Sequence, residues 1–98
     1  MEKKIIDLAL KKEWYNMIES GEKHEEYRKI KPHWLKRLAI FDNNNNILSL
    51  NPHHYTHVRF RYGYTKRTML FKITNICVGR GEPKWGAPAN EDVFVIQF

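Results

Sequence analysis

Gly21-Glu22-Lys23-His24-Glu25-Glu26-Tyr27-Arg28 is the stretch whose reading decides the fold. Ahead of it, Ile5–Leu10 reads as a strand and Lys11–Ser20 as a helix, and Gly21 sits where a helix ends on a left-handed residue, a conformation glycine adopts without a Cβ clash. The residues that follow read as a second strand. If it starts at His24, alternation puts Glu26 and Arg28 on one face and Glu25 and Tyr27 on the other. Lys23 stands where helix gives way to strand. Local geometry thus predicts a cation, a carboxylate and a guanidinium held together, set against the plainer expectation of a solvated edge that contributes little.

Working outward, Trp14, Met17 and Ile18 have the i, i+3, i+4 spacing of an amphipathic helix packed on a core. Lys31-Pro32 opens a second short helix, with proline suited to its first turn and Trp34, Leu35 and Leu38 directed inward. Asp42-Asn43-Asn44-Asn45-Asn46 reads as a turn, since asparagine tolerates left-handed geometry. Ile47–Leu50 is a short strand or an anchored loop. Val58, Phe60 and Tyr62 alternate with Arg59 and Arg61 as in a half-buried strand. Arg67–Gly79 reads as a long strand, but its apolar phase inverts near Thr74-Asn75, as at a bulge or a barrel corner. Gly79–Asn90 is an irregular loop, and Val93–Phe98, apolar on both faces, is expected at the centre of a sheet. Five or six strands with two short helices and no βα alternation predict an α+β fold, a small mixed β-barrel.

The pattern G-x-K-x-x-E-x-R after a strand–helix start resembles the signature of the ASCH domain, a small β-barrel of the PUA-like superfamily. Three further features are similar: the aromatic and basic residues of Lys31–Arg37, the strand His57–Tyr64, and Gly79-Arg80-Gly81 with Trp85-Gly86-Ala87-Pro88 before a last apolar strand. The resemblance spans nearly the whole chain, 1–98, as a single domain. It departs from the family at His24, where many members carry threonine after the lysine of the motif.

At 98 residues the chain suffices for one modest core. No apolar run approaches the roughly 18 residues of a membrane span, and the polar start Met1-Glu2-Lys3-Lys4 is unlike a signal-peptide core. The single cysteine, Cys77, excludes an internal disulfide and suits a reducing cytoplasm. A net charge of +6 favours polyanionic partners. His53, His54 and His57 lack the carboxylate or thiol neighbours of a metal centre, so neither metal nor cofactor is expected.

The resemblance implies a cleft between the first helix and the open side of the sheet, taking RNA, a nucleotide or a nucleoside. Lys23 and Arg28 are then the phosphate or base contacts, Arg59 and Arg61 extend the basic surface, and Tyr27 and Trp85 are the candidates for stacking on unpaired bases. Glu26 orients the two cations or accepts hydrogen bonds from a base. A second function class is enzymatic: relatives of this kind deacylate N4-acetylcytidine or cleave RNA, which would make Lys23 and Glu26 the catalytic candidates. The resemblance implies that the deacylating relatives use a threonine three residues after the lysine, where this chain has Glu26, and an ammonium beside a carboxylate is a poor nucleophile. A third class is a protein-interaction module that uses the same basic surface.

Overall fold

Alternation in Ile5–Leu10 buries Ile6, Leu8 and Leu10 and leaves Asp7 and Ala9 outside, making this segment strand β1. The structure, a computed structural model, describes residues 2–98. Helix α1 (Lys12–Glu19) follows at once and packs Tyr15 and Ile18 into the core, with Trp14 and Met17 half-buried beside them. Gly21, at φ +85°, ends it: Gly21 N–H donates to the Ile18 carbonyl and Lys23 N–H to the Met17 carbonyl. The chain is thereby folded back across the helix end before entering β2 (Glu25–Lys29).

Helix α2 (Pro32–Leu38) starts on its proline and buries Leu35 and Leu38. It runs directly into β3 (Ala39–Phe41), which pairs with β4 (Ile47–Leu50) as a hairpin. In the turn between them, Asp42 accepts the backbone N–H groups of Asn44 and Asn46, each at 2.9 Å, and these bonds hold its carboxyl below the usual range. Strands β5 (His57–Tyr62), β6 (Thr68–Lys72), β7 (Asn75–Arg80) and β8 (Asp92–Gln97) complete the chain, with a 3-10 turn at Pro83–Trp85 before the last.

The eight strands form three sheets, ordered β1-β5-β6, β2-β8-β7 and β3-β4. The fold is α+β, as expected, but the expected barrel does not close: β1 and β2 are both outer strands of their sheets and do not pair. The strand pairing is mixed, as expected: β1 and β5 run parallel, Ile6 opposite Val58 and Leu8 opposite Phe60, and the other pairs are antiparallel. The segment read as one strand from Arg67 to Gly79 is two, β6 and β7, in different sheets. The inverted apolar phase at Thr74-Asn75 marks the crossing: Ile73 N–H still bonds the Thr56 carbonyl of one sheet, and Thr74 N–H bonds Gln97 of the other.

Strand β8 shows why the molecule has two cores. Phe94 and Ile96 join the main cluster with Ile6, Leu8, Val58 and Phe60, whereas Val93 and Val95 face the opposite side with Tyr27 and Ala87. All four β8 residues are buried, as the sequence predicted for a central strand. Burying each such side chain is worth roughly 1.5–3 kcal/mol. The loop after β7 covers the second cluster, and it can lie that close only because Gly81 has no side chain. A Cβ there would sit 2.5 Å from the Ala87 Cβ and 2.6 Å from the Tyr27 ring.

Candidate functional site at the seam between two sheets

In β2 the pleat does what the sequence predicted. Glu26 lies opposite Ile96 and Arg28 opposite Phe94, on the main-core face, while Glu25 and Tyr27 point the other way. Glu26 divides its carboxylate between two cations: Oε1 accepts from Lys23 Nζ at 2.8 Å, and Oε2 accepts from Arg28 Nη1 at 2.8 Å. The Lys23 ammonium also donates to the Trp85 carbonyl and lies 5.0 and 5.3 Å from the ring centroids of Trp14 and Tyr27. With a carboxylate, a carbonyl and two aromatic faces around it, this lysine is stabilised without water.

Lys23 is 1% exposed, which corrects its expected role as a phosphate contact. The turn at Gly21 sends it under the surface, and the loop around Trp85 seals it. The carbonyl that holds it lies 62 residues along the chain. Tyr27 is also corrected as a stacking platform. Its hydroxyl donates to Glu25 at 2.9 Å and accepts from the Glu82 N–H at 3.0 Å, and burial pushes the phenol well above its ordinary pKa.

Arg28 is the member of the triad that reaches the surface, with 19% of its side chain exposed. Its Nη1 also donates to its neighbour's carbonyl, Tyr27 O, and Nη2 reaches the Ala9 carbonyl of β1 at 3.4 Å, so one guanidinium bridges the two unpaired strands. Its Nε is buried and has no hydrogen-bond partner. The gap that Arg28 spans is a cleft of about 530 Å³, lined by β1 from Asp7 to Leu10, Lys11, Trp14, Glu26, Arg28 and Trp34. That volume lies within the range of small-molecule sites. The Trp34 ring stands 5.2 Å from the Arg28 guanidinium.

Glu26 and Arg28 are therefore the two expected site residues that the structure brings into the cleft. Arg59 and Arg61 do not line it. They occupy the outer face of β5, where Arg59 pairs with Asp7 at 3.3 Å and Arg61 donates to the Thr65 carbonyl. Trp85 does not line it either; its ring meets His24 edge-on, at 4.5 Å between centroids. Trp14 and Trp34, read as core because they fall at helical spacing beside apolar residues, do pack against the main cluster, and they also form walls of the cleft. The signal available for Trp34 was its setting, next to the cations Lys36 and Arg37. Of the loop histidines, His53 approaches the Lys36 carbonyl and His57 shares a hydrogen bond with Thr56. Comparison of the chain with protein families, curated proteins and solved structures finds no match.

Proposed function

We propose that the chain is an RNA- or nucleotide-binding domain of the ASCH type, within the PUA-like superfamily, and that the seam cleft receives a nucleobase. The observation that carries this assignment is Arg28, fixed on the cleft floor by Glu26 and set against the Trp34 indole. A guanidinium in a rigid fork recognises base edges and phosphates, and an indole face stacks on any base. Glu26 below it adds an acceptor, and the positive charge of the chain attracts the phosphodiester backbone. A reducing compartment such as the cytoplasm suits a chain with one cysteine, whose thiol is pushed up by burial.

Turnover finds less support than binding. Lys23 is engaged by Glu26 and the Trp85 carbonyl and does not line the cleft, so the amine that the family pattern would make the nucleophile does not stand where an acylated base would lie. The test is titration of the four common nucleosides and of N4-acetylcytidine, followed by quenching of the indole fluorescence. At least one nucleoside is expected to bind. Trp34→Ala is expected to weaken it by about 1–3 kcal/mol, the worth of one base–aromatic stack. Nucleoside affinity unaltered by that substitution would remove the cleft as the binding site, and release of acetate from N4-acetylcytidine would make the chain a hydrolase.

A further inference from the structure

Tyr64 is 99% exposed at the tip of the β5–β6 hairpin, the most exposed large apolar side chain among the described residues. Nothing in the core explains it, because the hairpin turn is already held by its backbone and by a threonine: Tyr62 N–H donates to the Arg67 carbonyl, and Thr65 Oγ1 to the Tyr62 carbonyl. Beside the hairpin turn lies a second depression of about 230 Å³, lined by Ala9, Leu10, Lys11, Gly63 and Tyr64. Ala9, Leu10 and Lys11 also line the seam cleft, so the two hollows share one wall, the end of β1.

Lys11 lines this second hollow, and Lys12, Arg61 and Lys66 lie within two residues of its lining residues along the chain. Among the described residues, Lys11, Lys12, Arg61 and Lys66 form no ion pair with a carboxylate, whereas the neighbouring Arg67 is held by Glu19 at 2.7 Å. Lys12 sits 5.5 Å from the Tyr62 ring centroid, on the same side of the hairpin base.

Resting on the nucleobase assignment for the cleft, we infer that Tyr64 and the second hollow form a stacking subsite for the adjacent nucleotide, so that the preferred ligand is a single-stranded polynucleotide and not a free nucleoside. The shared wall at Ala9-Leu10-Lys11 makes the two sites consecutive. An exposed aromatic beside unpaired cations is the arrangement that grips successive bases of a single strand while its phosphates lie along the positive charge. An acidic protein would use the lysines but would leave Tyr64 without a planar partner.

The experiment measures two affinities on the same proteins: a fluorescently labelled, single-stranded oligoribonucleotide of mixed sequence by anisotropy, and the nucleosides by indole quenching. Tyr64→Ala is expected to raise the dissociation constant of the oligonucleotide by about 5- to 150-fold. It should leave nucleoside affinity unchanged, because Tyr64 does not line the cleft. Tyr64→Phe keeps the ring and should restore oligonucleotide binding. Trp34→Ala is expected to weaken both ligands. If nucleosides bind in a Trp34-dependent way and Tyr64→Ala leaves oligonucleotide affinity intact, the subsite is refuted while the cleft stands. If no nucleoside binds, or Trp34→Ala changes neither ligand, the cleft assignment fails and the subsite that rests on it falls too. Full exposure of Tyr64 means that neither of its substitutions removes core packing, so unfolding does not confound the comparison.

Discussion

Glu26 has one carboxylate oxygen on Lys23 and the other on Arg28, and the two cations differ in what they lose without it. Lys23 is sealed from water, so Glu26→Gln, which keeps an acceptor oxygen but removes the countercharge, leaves a buried ammonium uncompensated at a cost of about 3–5 kcal/mol. Arg28, partly exposed, can be rehydrated and adds less. Chemical denaturation of the variant checks this, and a loss under about 1 kcal/mol would mean that Lys23 is solvated in solution. Tyr27, on the opposite face of β2, gives a pH dependence. Its buried phenol has a raised pKa, so the folded state keeps a proton that the unfolded chain releases near pH 10, the ordinary phenol value being about 10. The stabilisation is fully present below about pH 10 and is lost as pH rises towards the folded-state value. Denaturation curves from about pH 8 to 11 should therefore fall more steeply for the wild type than for Tyr27→Phe, and parallel curves would refute the buried phenol.

Among the elements, β2 was the most legible in the sequence, because the consequences of alternation are local. Once Gly21 ended the helix, the faces of Glu26 and Arg28 against Glu25 and Tyr27 followed. The inverted phase at Thr74-Asn75 was equally visible, although it marks a change of sheet and not a bulge within one strand. What stayed hidden was set by contacts far apart in sequence. Lys23 is closed in by the Trp85 carbonyl and Tyr27 is locked by the Glu82 N–H, 55 residues away, and neither has a local signature. Both depend on the loop after β7, which Gly81 allows to approach β2. Gly81→Ala should force the loop off the Tyr27 ring and cost about 1–3 kcal/mol by overpacking. Thermal denaturation measures it, and an unchanged midpoint would show that the loop does not pack on the second core.

At the scale of the whole molecule, the functional claim follows from the way the two larger sheets fail to join. β1 and β2 approach without pairing, a guanidinium bridges them, and the opening is walled by one indole from each helix. The basic residues on the outer face of β5 offer a rival surface for RNA, and charge alone does not choose between the two. The three tryptophans can report which surface is used, because Trp14 and Trp34 line the cleft while Trp85 does not. The most direct measurement is a titration of the isotope-labelled protein with single-stranded RNA, following the three indole N–H resonances by NMR after assignment by single substitutions. A base held in the seam shifts the Trp14 and Trp34 signals together and saturably, with Trp85 little changed. RNA binding that leaves both cleft indoles unmoved, while the Arg59 and Arg61 side-chain signals shift, would contradict the account and put the ligand on the outer face of β5.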